Sequence, residues 1–161
     1  MAARPTPVEP GYRGPTVCAL VGITYRQLDY WARTELVTPS VRAADGSGSQ
    51  RLYGFTDLVE LRIIKRLLDA GVSLRRIRDA IGYLRGEAAG KRLTDITLMS
   101  DGKRIYACYS GEEVIDVLSH GQAVFGIAVG RVWADTEGDV ATLPADNAPA
   151  EEPAPAPRLA R

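Results

Sequence analysis

The sequence predicts an α+β chain: four helices interrupted by a two-stranded ribbon, followed by a small β-β-α-β unit. Three observations carry this prediction. Apolar residues recur at three- and four-residue spacing through residues 56–85. A Gly/Ser-rich tip sits between short extended flanks in VRAADGSGSQRLY. Beyond residue 95 the pattern changes to short apolar runs around an Asp-Gly turn. The 161 residues suffice for one ordinary domain or two small ones.

The elements follow in order. Residues 1–14 carry three prolines and two glycines with little apolar content, so they read as a disordered or loosely draped arm. Thr16 to Val21 is a short helix closed by Gly22. Thr24 is an N-cap, with Gln27 three residues on to complete a capping box. The helix it opens, YRQLDYWARTE, ends near Leu36, and Pro39 forbids its continuation. The two-stranded ribbon comes next. Thr56 caps the third helix, with Asp57 in its first turn and Gly71 as its stop. Ser73 caps the fourth, whose Leu74, Ile77, Ala80, Ile81 and Leu84 share one face. In the second block, ITLMSDGKRIYACYS reads as two strands joined at Asp101-Gly102. SGEE from Ser110 is a capping box opening a short helix that Gly121 ends. AVFGIAVGRVW then reads as a final strand, with Phe125, Ile127, Val129 and Trp133 on one face and Gly126, Ala128 and Gly130 on the other. That smooth second face invites close approach of another backbone. The tail, PADNAPAEEPAPAPRLAR, is too poor in apolar residues to bury a core.

The domain reading is therefore an arm at 1–14, a DNA-binding domain at 15–90, a small α/β dimerisation or effector domain at 93–135, and a Pro/Ala/acidic tail at 140–161. The formal net charge of zero hides an asymmetry. Residues 11–92 hold 14 Lys and Arg against 8 Asp and Glu, whereas residues 93–161 hold 5 against 11. A basic half followed by an acidic half suggests that the first half meets a polyanion. No apolar run approaches the roughly 20 residues of a membrane helix, and no signal-peptide core is visible, so a cytoplasmic, nucleoid-associated protein without membrane contact is expected. Cys18 and Cys108 form no CxxC pair and His120 is the single histidine, which disfavours a metal site. No catalytic residue, metal ligand or cofactor is expected. There is no nucleophile–base pairing and no phosphate-binding glycine loop, because the Gly-Ser-Gly at 46–48 lacks a strand-to-helix context.

The segment from Gly22 to Tyr53 carries the functional signal. Two short helices joined by a Gly-containing turn, with a ribbon behind them, make a winged helix-turn-helix whose second helix enters the major groove. The candidate DNA-binding residues are Thr24, Tyr25, Arg26, Gln27, Tyr30 and Arg33 on that helix, and Arg42, Gln50, Arg51 and Tyr53 on the wing. The helix N-terminus offers free N–H groups and a favourable dipole to phosphate, and arginine forks suit phosphate and base edges. Tyr30 and Trp31 also read as core aromatics that pack the turn.

The stretch Gly22 to Ile81 resembles the DNA-binding domain of the MerR family. The matching pieces are Gly22-Ile23-Thr24, Leu28-Asp29-Tyr30-Trp31, Leu36-Val37, Gln50-Arg51-Leu52-Tyr53, Asp57-Leu58 and Gly71-Val72-Ser73-Leu74 with Ile77. Asp29 stands where that family usually has arginine, and Glu35 where it usually has glycine. The resemblance implies that phosphate anchoring shifts to Arg26, Arg33 and the wing arginines. The family's long dimerising helix is missing after residue 90. The β-β-α-β block there is similar to actinobacterial MerR-like regulators of growth and cell division of the ResR/McdR type.

The resemblance implies a transcription regulator that is no enzyme. It would bind pseudo-palindromic double-stranded promoter DNA as a homodimer, with RNA polymerase as a possible partner. The pairing surface is expected on Phe125, Ile127, Val129 and Trp133. The alternative is a winged-helix protein-interaction adaptor without specific DNA binding.

Overall fold

A computed structural model describes residues 11–42, 51–86, 93–121 and 125–143. In chain order these form β1 (Tyr12–Arg13), α1 (Gly14–Val21), α2 (Tyr25–Arg33), β2 (Leu52–Tyr53), α3 (Phe55–Asp69) and α4 (Leu74–Arg85). A 3-10 turn (Leu93–Asp95) leads into β3 (Thr97–Ser100), β4 (Ile105–Cys108), α5 (Gly111–Ser119), β5 (Phe125–Ala128) and α6 (Val129–Ala141). The mixed α+β class is as expected, as are the four helices of the first block.

The expected arm is ordered at its inner end. Tyr12 and Arg13 pair antiparallel with Tyr53 and Leu52, and Tyr12 is buried in the core. Burial of Tyr12 and its pairing with β2 hold the described end of the arm, residues 11–14. On the other side of β2, Arg42 bridges Leu52, so the base of the wing is a ribbon with β1 added. The tip, residues 43–50, lies outside the described residues, and so do the first ten residues and the tail beyond 143.

The start of α3 differs from expectation. Its N-cap is Gly54 rather than Thr56. The cap chemistry comes from Asp57, whose Oδ2 accepts from Gly54 N at 2.8 Å, Ser40 N at 2.8 Å and Ser40 Oγ at 2.8 Å. This nearly buried carboxylate ties the turn after α2 to the start of α3.

Sheet order in the second block is β4-β3-β5, antiparallel throughout. The Asp101 carboxylate closes the hairpin by accepting from Lys103 N at 2.7 Å and Arg104 N at 2.5 Å, with Gly102 at φ 89°. These backbone bonds hold the Asp101 carboxyl below its ordinary range.

The largest departure is at the end. The predicted strand through Trp133 stops at Ala128, and Val129 opens the helix α6. The window 125–133 satisfies both periods: alternation marks Phe125, Ile127 and Val129, while Val129, Val132 and Thr136 recur at helical spacing and are the buried residues of α6. The glycine face does meet a backbone, but one of its own chain. A Cβ on Gly130 would collide with the carbonyl oxygen of Thr94.

α6 packs on α3, so a single apolar core runs through both blocks, from Val17 and Leu61 to Ile127 and Val132. Arg62, on α3, joins them. It donates to Leu20 O at 2.8 Å, Thr136 Oγ1 at 3.2 Å and Asp139 Oδ2 at 2.5 Å. Phe55 and Trp133 meet edge to face, their ring centroids 4.9 Å apart.

Candidate nucleic-acid interface

Helix α2 forms for the reason its sequence gives. Thr24 Oγ1 accepts from Gln27 N at 3.1 Å, and Gln27 Oε1 accepts from Thr24 N at 3.1 Å, which completes the capping box. Leu28 and Trp31 turn inward, each 2% exposed. The opposite side therefore faces solvent: Tyr25 is 62% and Tyr30 48% exposed, and Arg26 and Arg33 are exposed as well. Tyr30 is thus a surface residue, whereas Trp31 is core.

The other end of α2 is held from α4. Arg78 donates to Thr34 O and Thr34 Oγ1, both at 2.8 Å. Arg85 donates to Leu36 O at 3.1 Å and pairs with Glu60 at 2.6 Å. Two guanidinium groups at a helix C-terminus also satisfy its dipole. Between them, Glu35 is left-handed at φ 59°, a conformation that glycine adopts without strain.

Asp29 links helix and wing. Its Oδ1 accepts from Arg51 Nη1 at 2.7 Å and its Oδ2 from Arg33 Nη2 at 2.9 Å. The Arg51 hydrogen bond, helped by the Arg33 charge, holds the Asp29 carboxyl below the usual carboxylate range. Wing residue Tyr53, in contrast, is 0% exposed. Its ring belongs to the core, and its hydroxyl has no hydrogen-bond partner among the described residues. Burial pushes the phenol up to about 12. Tyr53 is therefore corrected from DNA contact to core residue. Arg42 is half-buried at the base of the wing, and Gln50 lies outside the described residues.

Much of the first block's positive charge is used inside the chain. Arg62 pairs with Asp139 at 2.5 Å, Lys65 with Asp69 at 2.7 Å, and Arg66 reaches Asp135 at 4.0 Å. The acidic helix α6 thus neutralises the outer face of α3. Among the described residues of the first block, Arg13, Arg26, Arg75 and Arg76 are exposed cations without an ion pair, and of these Arg13 and Arg26 lie at the start of α2. Arg13 sits beside the tip of α2, because a Cβ on its neighbour Gly14 would lie 3.3 Å from the Tyr25 ring. The prolines of the arm hid Arg13 from sequence reading, although the Tyr-Arg pair was a usable signal.

The four residues expected to pair two subunits occupy different positions. Ile127 and Val129 are buried within the chain. Phe125 and Trp133 are half-buried against the same core. Cys108 is buried and Cys18 partly so; burial raises both thiols. No cluster of metal-binding side chains occurs among the described residues, and no described helix is long and apolar enough to cross a membrane.

Residues 12–84 match the family described as MerR HTH family regulatory protein. The chain is 54% identical over 147 residues to proteins of Mycobacterium tuberculosis and Mycobacterium bovis, both named as uncharacterised HTH-type transcriptional regulators. Those alignments cover 91% of this chain and 65% of each relative. It is also 33% identical over 64 residues to the HTH-type transcriptional regulator HmrR of Sinorhizobium medicae, covering 40% of this chain and 42% of that protein.

Proposed function

We propose, from the match of residues 12–84 to the MerR helix-turn-helix family, that the chain is a MerR-type sequence-specific DNA-binding transcription regulator and not an enzyme. The observation that carries this reading is the exposed first turn of α2. Tyr25 and Arg26 project from a helix end whose other face is locked by Leu28 and Trp31. A rigid helix with an exposed first turn, an exposed aromatic ring and the unpaired cation Arg26 suits the major groove and the flanking phosphates. Thr24 and Gln27 spend side-chain acceptors on the cap, so base reading falls to Tyr25, Arg26 and the Gln27 amide N–H groups.

One such module makes a small interface, so the protein binds a pseudo-palindromic promoter site as a homodimer. With Ile127 and Val129 turned inward, their side chains are not the pairing surface; sedimentation of the full chain with and without duplex DNA checks the dimer. RNA polymerase is the expected further partner, and the nucleoid the expected location.

The deciding experiment is fluorescence anisotropy of labelled promoter duplex against salt. Binding should weaken steeply as salt rises, through counterion release. Arg26→Ala should change which sequence is preferred, and equal losses on unrelated duplexes would remove its base-reading role. No binding to any duplex at low salt would favour the protein-interaction adaptor instead.

A further inference from the structure

We propose that Asp29 is a positioning residue that builds a phosphodiester-binding pair from the guanidinium groups of Arg33 and Arg51. The proposal rests on the DNA-binding reading above. The two arginines come from different elements, the last turn of α2 and the residue just before β2. Each takes a separate oxygen of one carboxylate, at 2.9 Å and 2.7 Å. One nitrogen of each fork, Arg33 Nη2 and Arg51 Nη1, faces Asp29, and a guanidinium carries five N–H donors in all. Among the described residues no other group takes the remaining donors, which suit an anion.

The exposures fit this arrangement. The Asp29 side chain is 28% exposed and that of Arg51 22%, while Arg33 is 66% exposed. The carboxylate is more shielded than Arg33 and about as shielded as Arg51, and the group as a whole keeps one net positive charge. Holding long cationic side chains in one geometry loses rotamer freedom. When that ordering happens on folding, less is lost on binding. Asp29 also fastens the wing to α2, so the wing cation and the helix move as one body.

The sign of the effect tests the idea. Charge counting predicts that removing a carboxylate beside a polyanion tightens binding. Positioning predicts the reverse. The measurement is anisotropy of a labelled mixed-sequence duplex with the full chain, because phosphate contacts are independent of sequence. Asp29→Ala should weaken binding by about threefold to tenfold and flatten the salt slope, as Arg51→Ala should. Asp29→Ala added to Arg51→Ala should cost much less than it does in the wild-type chain, since the pair acts together. Asp29→Asn, which keeps the shape, serves if the alanine variant does not melt cooperatively. Tighter or unchanged binding by a folded Asp29 variant, with Arg51→Ala still weakened, overturns the proposal and leaves the DNA-binding reading intact. A wild-type chain that binds no duplex overturns both.

Discussion

Helices α2 and α5 are each nine residues long and open with the same chemistry, a hydroxyl cap and an acceptor three residues on. Beyond the first turn they part. α2 buries Leu28 and Trp31, whereas α5 buries none of its residues and leaves Ile115 64% and Leu118 50% exposed. α2 presents Arg26 and Arg33 to solvent, while α5 carries Glu112, Glu113 and Asp116 and would be repelled by a polyanion. Capping is local and sets where a helix starts. Burial of two large side chains is what makes one helix a rigid part of the core and the other a lightly held cover on its sheet.

The largest effect should come from breaking the anchor of α2. Trp31→Ala should destabilise the chain by about 3–5 kcal/mol. Ile115→Ala on α5 should change stability by less than about 0.5 kcal/mol. Chemical denaturation of both variants checks the contrast, and comparable losses would mean that α5 has a buried partner in solution.

The same contrast explains what could be read from the sequence. Both caps, the glycine stops, the Asp101-Gly102 hairpin and the apolar faces of α3 and α4 depend on neighbours a few residues apart, so spacing revealed them. Tyr53, Asp29 and α6 depend on distant partners. Tyr53 sits beside a wing arginine, yet pairing with Tyr12 turns it into the core. Asp29 looked like a lost phosphate contact, and only the fold brings it against Arg51, 22 residues away. Val129 to Trp133 fits two periods at once, and packing on α3 decides between them. The surplus positive charge was legible as a number but not as a surface, because Asp135 and Asp139 return from the far end of the chain to neutralise part of it.

Tyr53 supplies the next prediction, within the first block. Its phenol stays protonated in the fold up to about 12, while an unfolded tyrosine ionises near 10. Its contribution is complete below about pH 10 and is lost as pH rises through the folded value, a fall of about 2–3 kcal/mol. Tyr53→Phe should remove this alkaline loss, and at neutral pH it should stabilise by up to about 1 kcal/mol by deleting an unpaired buried hydroxyl. Melting curves at several alkaline pH values test both parts; an unchanged alkaline slope would assign the loss to other groups.

Glu35 offers a smaller gain on the same side. At φ 59° it occupies the left-handed region, which costs a side chain about 1–2 kcal/mol. Glu35→Gly relieves that strain but adds freedom to the unfolded chain, so a net stabilisation of about 0.5–1 kcal/mol is expected. A lower melting temperature would show that Glu35 makes compensating contacts.

The two caps give the smallest and most discriminating pair. Thr24→Ala and Ser110→Ala each remove one hydroxyl acceptor, worth about 1 kcal/mol. In α2 the loss should appear in global stability, because Leu28 and Trp31 make that helix part of the cooperative core. In α5 it should appear as faster amide exchange confined to residues 111–119, with the midpoint of unfolding nearly unchanged. Glu113 complicates the second case usefully: its Oε2 accepts from Tyr109 N at 2.6 Å, so the turn keeps a second fastening to β4 when Ser110 is cut. Ser110→Ala combined with Glu113→Ala should therefore open α5 more than either change alone. If the double variant lowers global stability as much as Thr24→Ala does, the two helices belong to one cooperative unit.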